Sequence, residues 1–552
     1  MERDKMIRLV PTQETLTIEF KSDRKPLSDD ALIDAIVAFA NTEGGDLYLG
    51  VENDGTITGI HTSHQDITQL AAFIANKTIP PISVRAELMD EIYPVIHIQV
   101  PKSRSGVAAS SSGKIQRRQL KMDGTPENVP MYPYEINSRL SDLSLLDYSA
   151  QTVPNAVYRD LDPVERQHLR NILSAFHGEN GLLELEDEEL DKALRLVSTH
   201  SGELLPTYTG MLLIGKRERL RELIPTAEAA YIAYSGTEVT SNQTFYLPLL
   251  SALEKIFAFI DARNEEREII SGLFRWAIPD FDRRAVREAI INAFVHRDYT
   301  RMGRVLARLD DDGLSISNPG GFIEGVTIEN ILTIEPHGRN PALADALKRI
   351  GMAERSGRGV DRIFEGSLQY GRALPDYSES TSTSGRLFIP RSLPDERFIR
   401  IVAEEQQRRG TMLPINSLLI LNALKQERRM TVQDLSSATH IPEAKVRASV
   451  ERMTEAGLLE PSGNGKSRMY LFSPKLYESK AGYVRQSGIE RIRYPELVLK
   501  LAKTQGAISR KDVVQLLRVT PPQAYRILQK LVKDGKLIPS GNARNAIVYK
   551  VP

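Results

Sequence analysis

Glu14, Glu19 and Lys21 fall in a short alternating stretch, Glu14-Thr-Leu-Thr-Ile-Glu-Phe-Lys21, that reads as a strand. Residues two apart on a strand share a face, so Glu19 and Lys21 emerge together, with Glu14 just before them. Two carboxylates and an ammonium converge there into a small polar site. A second group lies in the helical stretch Val286 to Tyr299, where Glu288 and Asn292 stand four residues apart and project from one face. The third group is made of glycines. Asn318-Pro-Gly320-Gly321 ends a strand, and Ser356-Gly357-Arg358-Gly359 opens a helix, where backbone N–H groups are suited to hold phosphates.

The elements that must position these residues follow from periodicity and turn signals. Phe39 to Val51 reads as a helix end, a Gly44-Gly45 turn and a strand that leaves Glu52, Asn53 and Asp54 at its far end. Leu314 to Phe322 is a strand running into a glycine turn, and Asn340 onward leads to the glycine-rich loop at 353–361. His296, Arg297 and Asp298 form a polar cluster that ends the helix of Glu288. Residues 155–280 alternate helices and strands without a catalytic motif. Lys102, Arg104, Lys114, Arg117, Arg118 and Lys121 lie in a Ser- and Gly-rich stretch that reads equally as a nucleic-acid-holding loop or as an exposed polar one.

At 552 residues the chain is long enough for three or more domains, and 41% hydrophobic with 26% charged residues is ordinary globular composition. No apolar run approaches membrane-spanning length and the first residues carry no signal-peptide pattern, so a cytoplasmic protein is expected. With no cysteine, disulfides, thiolate zinc sites and Cys nucleophiles are excluded. The formal net charge is zero, but residues 411–552 hold 24 Lys and Arg against 11 Asp and Glu, a net +13. A basic terminal segment on an acidic body points to contact with phosphates.

That segment repeats itself. Thr431-Val-Gln-Asp-Leu, Gly457 and Ser462-Gly-Asn recur as Ser509-Arg-Lys-Asp-Val, Gly535 and Ser540-Gly-Asn, all at an offset of 78. Each copy reads as an apolar helix, a capped short helix, a longer amphipathic helix closed by a glycine, and a hairpin with a polar tip. The pattern resembles the winged-helix family. By that resemblance Lys445, Arg447, Arg452, Lys466 and Arg468 in the first copy, and Gln523, Arg526, Lys530 and Arg544 in the second, are placed to contact DNA; winged helices also serve as protein contacts.

The N-terminal motifs resemble the Schlafen AlbA-type nucleic-acid-binding domain over roughly residues 8 to 140. In nuclease members of that family residues matching Glu14 and Glu19 join a third carboxylate in a metal-dependent site beside the residue matching Lys21; here the third position is Asn53. The middle of the chain resembles the ATP-binding domain shared by gyrase, heat-shock chaperones and histidine kinases, in the divergent form found behind Schlafen domains. This resemblance makes Glu288 the general base and Asn292 the magnesium ligand. It also makes Asn318, Gly320 and Gly321 the adenine-side turn, and Ser356, Gly357, Arg358 and Gly359 the phosphate loop. A carboxylate can orient water while an amide oxygen coordinates a hard cation beside phosphate.

The expected fold is α+β and multidomain: a Schlafen AlbA-type α/β domain at 1–140, a gyrase-like α/β sandwich at 141–395, a linker at 396–410, and winged helices at 411–478 and 479–552. The expected function is an ATP- and Mg2+-binding, DNA-binding regulator or phage-defence protein with slow ATP hydrolysis and homo-oligomeric assembly. RNA is a further partner for the N-terminal domain. The alternative is a metal-dependent nuclease at Glu14, Glu19 and Lys21.

Overall fold

The computed structural model describes residues 10–271, 274–335, 338–353, 357–427, 429–463, 468–473, 494–517, 521–540 and 548–551. The chain divides into two compact units, Met1–Pro394 and Asp395–Pro552. Among the described residues no helix is long and apolar enough to cross a membrane.

The first unit begins with a four-stranded sheet in the order Ile18–Lys21, Gly45–Leu49, Val95–Val100, Arg85–Met89. The first pair is parallel, bridged by the helix Asp29–Ala40, and the rest are antiparallel. Leu47, Leu49, Ile96 and Ile98 alternate onto the face covered by that helix, while Phe20 and Tyr48 point to a smaller cluster behind. Gly45 marks the tight point: a Cβ there would meet the Thr17 carbonyl at 2.5 Å and the Phe39 ring at 2.6 Å. Asn41, buried at the helix end, ties the segment 108–116 down through the Ala108 N–H and the Ala108 and Gln116 carbonyls.

The second sheet has five strands in the order Glu238–Phe245, Ala229–Ser235, Val305–Leu309, Gly313–Pro319, Ser384–Pro390. Only the pair 229–235 and 305–309 is parallel. The helix Arg283–Val295 packs on the strand 313–319 and against the helices Leu249–Asp261 and Gly359–Leu368. Asp282 caps it, accepting from the Arg284 and Ala285 N–H groups, both at 3.0 Å.

The helix Pro133–Asp142 and Lys102 are tied to loops beside the second sheet by polar contacts between residues more than 150 apart in sequence. Ser138 and Arg139, on the helix Pro133–Asp142, donate to Asp298 (2.6 Å) and to Glu324 (3.0 Å), and Asp142 pairs with Arg339. Lys102 also reaches Glu324, at 3.0 Å. Burial pushes the Asp142 carboxyl up against the pull of Arg339. Burial acts the same way on Asp298, but hydrogen bonds from Ser138 and Thr300 and the Arg339 charge hold that carboxyl below its ordinary value.

In the second unit, residues 396–410, expected as a linker, form the helix Glu396–Arg409, capped by Asp395 and closed by Gly410 in left-handed backbone. Phe398, Ile399, Ile401 and Val402 bury one of its faces. Two three-helix, three-strand modules follow. The first has helices Ile415–Gln426, Val432–Thr439 and Glu443–Glu455 with strands Met430–Thr431, Leu459–Ser462 and Met469–Phe472. The second repeats them as Tyr494–Gln505, Arg510–Leu517 and Pro521–Lys533 with strands Ile508–Ser509, Ile538–Ser540 and Val548–Lys550. Their sheets share one strand order and one capping pair: the Thr431 and Ser509 hydroxyls each donate to an Asp carboxylate three residues on, Asp434 or Asp512, at 2.8 Å.

Removing Asp142 leaves the Arg339 guanidinium, 3% exposed, without its carboxylate. Asp142→Ala is expected to lower the stability of the 1–394 unit by about 3 kcal/mol, measured by urea unfolding.

Candidate nucleotide and nucleic-acid sites

The helix 283–295 turns Glu288 and Asn292 toward a cavity of about 820 Å³, also lined by Asn318, Gly320, Gly321, Gly357, Arg358 and Gly359. Every described residue assigned above to nucleotide binding is therefore in one place; Ser356 lies outside the described residues. Glu288 is buried, and Gly359 explains its setting. A Cβ on Gly359 would lie 2.2 Å from Glu288 Oε1, so the phosphate-loop glycine and the carboxylate are in direct contact. Gly366, further along the helix that the loop opens, lets that helix approach Asp282 and Ala285 closely.

The turn 318–321 is equally constrained. Gly320 has φ +95°, and a Cβ there would meet Arg339 Nη1 at 2.5 Å. Asn318 donates its amide hydrogens to the carbonyls of Pro319 (3.1 Å) and Gly320 (3.3 Å). Arg358 does not point a bare charge at the cavity: its guanidinium lies along its own helix, at 3.1 Å from Asp361 and 3.0 Å from Glu365.

The polar cluster 296–298 divides by position. His296 lines the cavity. Arg297 is fully buried and donates to the carbonyls of Asp298, Arg301 and Gly303, a structural role. Tyr377, not singled out in the sequence, lines the cavity near Glu288, and its phenol is pushed up by burial and by that carboxylate.

At the N-terminal site Glu19 is 4% exposed and its carboxylate is held by Arg118 and, at 2.6 Å, by Lys21. Glu14 accepts from the Phe20 N–H at 2.8 Å, satisfying a backbone group of the outermost strand. Asn53 sits in an exposed turn beyond the strand 45–49, and neighbouring Glu52 accepts from Ser22 and Thr58. Those hydrogen bonds hold Glu52 below its ordinary value. Among the described residues no group of three or more His, Cys, Asp or Glu could hold a metal ion. The decisive partner, Arg118, is 99 residues from Glu19, and in the sequence it reads only as one cation of a loop.

That loop's charges are largely spent within the protein. Lys102 pairs with Glu43 and Glu324, Lys114 with Asp30 and Asp34, and Arg117 with Glu135. In the second unit, by contrast, Lys445, Arg447, Arg452 and Arg468 are exposed around the first module's third helix and hairpin, and Arg526 and Lys530 around the second's. Arg452 folds back toward the Ala448 carbonyl. Gln523 is in the third helix of the second module; Lys466 and Arg544 lie outside the described residues. Tyr525, 47% exposed beside Arg526, joins that surface unforeseen.

Comparisons with known proteins agree with this arrangement. Residues 14–124 match the Schlafen AlbA_2 model, 304–386 the ATP-dependent DNA helicase recG C-terminal model, and 413–460 a winged helix-turn-helix DNA-binding model. The chain joins a Schlafen domain, an ATPase-like domain and a winged helix-turn-helix. Residues 138–230, between the first two, match a domain of unknown function, DUF8451. The recG C-terminal match begins after the helix that carries Glu288 and Asn292. No curated protein matches the chain. Among solved structures, the crystal structure of the DIP2311 protein from Corynebacterium diphtheriae is similar at 22% identity and a TM-score of 0.50, over 84% of this chain and 92% of that one. The ATPase-like domain implies nucleotide binding, and the Schlafen and winged-helix domains imply binding of nucleic acid.

The Gly359 contact gives a clean separation of fold from site. In Gly359→Ala the three atoms nearest the new methyl all belong to the Glu288 side chain, which can turn away, so stability is expected within about 1 kcal/mol of wild type. A crystal structure of the variant is expected to show the Glu288 carboxylate displaced, and any ATP hydrolysis is expected to fall to the level of Glu288→Ala.

Proposed function

We propose that this is an ATP-responsive DNA-binding protein, in which nucleotide held against Glu288 and Asn292 controls how the Schlafen and winged-helix domains hold nucleic acid, for regulation or for defence against phage. The observation that carries this reading is convergence. The helix 283–295, the turn 318–321 and the loop 357–359 wall one cavity, of a size suited to a small ligand. The donors fit as well. Glu288 supplies a carboxylate to orient water, Asn292 an amide oxygen for Mg2+, and the start of the helix 359–368 supplies N–H groups for phosphate. Mg2+, when bound, neutralises phosphate charge. With its amide hydrogens given to Pro319 and Gly320, Asn318 keeps its Oδ1 to accept from a base.

The coupling has a physical route. Arg339 donates to the Gly321 carbonyl at 3.3 Å and pairs with Asp142, and Asp298 accepts from Ser138 while its N–H bonds to the Pro319 carbonyl at 2.8 Å. A shift of the turn 318–321 around a bound base therefore pulls on the helix 133–142. A metal-dependent nuclease at Glu14, Glu19 and Lys21 fits less well, because a divalent cation would have to displace the Arg118 and Lys21 charges already on Glu19.

Glu288→Ala is expected to keep ATP binding and to lose hydrolysis by about 10²- to 10⁴-fold, whereas Asn292→Ala loses the magnesium-dependent part of binding; calorimetry giving full affinity for Asn292→Ala contradicts the assignment. Removing residues 395–552 is expected to abolish most DNA affinity and to flatten its salt dependence. A truncated protein that shifts DNA at wild-type concentration and with the wild-type salt slope refutes the role given to the winged helices.

A further inference from the structure

The cavity has a wall that the nucleotide motifs leave unused. Ser144 and Arg195 both line it, and both stand in left-handed backbone, at φ +59° and +57°. Arg195 follows the helix Asp187–Ala193. The Leu196 N–H bonds to the Asp191 carbonyl at 2.8 Å and the Arg195 N–H to the Lys192 carbonyl at 3.1 Å, the bond pair of a Schellman turn. The residue in its left-handed position is ordinarily Gly, because a Cβ there crowds the backbone. This turn cannot relax around the substitution. Asp191 is fully buried and gripped by Arg166 at 3.0 and 2.8 Å and by the Tyr158 hydroxyl at 3.0 Å, and Leu196 is fully buried on the other side.

The turn by itself implies no ligand, since His177 repeats it after the helix Pro163–Ala175 without lining the cavity. What sets Arg195 apart is that it both lines the cavity and is exposed, with no carboxylate partner among the described residues. The backbone just before it is also tied down. The Glu179 N–H bonds to the Arg349 carbonyl at 2.9 Å, and the Arg349 guanidinium returns to the Glu179 carboxylate at 2.7 Å and to the Ala193 carbonyl. Arg349 ends the helix Pro341–Arg349, from which the chain runs into the glycine loop. Lys348, its neighbour, lines the cavity with Gly357. The turn that carries Arg195 is therefore tied to the helix that precedes the glycine loop.

We propose that Arg195 is a ligand for the polyphosphate tail of the bound nucleotide, supplied to the cavity from the 138–230 segment rather than from the ATPase-like sheet. This rests on the nucleotide reading above. A guanidinium suits phosphate oxygens because it offers paired donors with a permanent charge.

Arg195→Gly separates this role from a structural one, because glycine is the better residue for the turn. The full-length variant is expected to melt at or above the wild-type temperature while its ATP affinity falls about tenfold and its adenosine affinity stays unchanged, both by calorimetry. Arg195→Lys is expected to recover part of the ATP affinity. Unchanged ATP affinity in Arg195→Gly, or an equal loss for ATP and adenosine, overturns the proposal. A wild-type protein that binds no ATP overturns the nucleotide reading itself, and this inference with it.

Discussion

A buried guanidinium must find acceptors on every side, since an unpaired charge away from water is far more expensive than an imperfect fit. Arg339 meets that demand by joining three segments that are remote in sequence. It pairs with Asp142 at the end of the helix Pro133–Asp142, donates to the His296 carbonyl at the end of the Glu288 helix, and reaches the carbonyl of Gly321, a residue lining the cavity. Its neighbour Asn340, also fully buried, adds bonds to the Val295 and Arg297 carbonyls. The end of the helix 283–295 is thereby locked against the start of the helix 341–349. Gly320 is a consequence of the same constraint, because the space its side chain would fill is taken by Arg339.

Within the cavity the governing contact is glycine against carboxylate. Two glycines seven apart, Gly359 and Gly366, fall on one side of the helix 359–368 and let it lie close on the helix 283–295. The Glu288 carboxylate lies directly against Gly359 in that approach.

Elements with local periodicity were legible in the sequence. The alternation at 14–21, the four-residue spacing of Glu288 and Asn292, the glycine turns and the offset of 78 in the tail all report local geometry, and the structure has the helix, the turns and the duplicated module; the strand is shorter than read, Ile18–Lys21, with a turn at 16–17 that leaves Glu14 outside it. Residues acting across long separations were not. Arg118 on Glu19, and Asp142 on Arg339 across 197 residues, leave no local signature, because their pairing depends on how two sheets come together. The helix 396–409 shows the opposite failure. Its Glu, Gln and Arg content reads as a linker, yet Asp395 and Gly410 are caps and Phe398, Ile401 and Val402 recur at helical spacing. Arg195 escaped for a subtler reason: a left-handed position announces itself in sequence only when glycine occupies it.

The same contrast between spent and unspent charge bears on how the protein meets nucleic acid. Cations that already sit on carboxylates release few counterions when a phosphate arrives, because the exchange is one ion pair for another. In the Schlafen domain Lys102, Lys114, Arg117 and Arg118 are in that condition. In the winged helices the exposed Lys445, Arg447, Arg526 and Lys530 stand on segments whose net charge is strongly positive. Exposed basic charge is therefore concentrated on the tail, whereas these four Schlafen-domain cations are already paired. Beyond the 14–124 match, the exposed rings of Tyr132 and Tyr134 stack 6.1 Å apart at the start of the helix that grips Arg339, a flat aromatic face of the kind on which bases can stack.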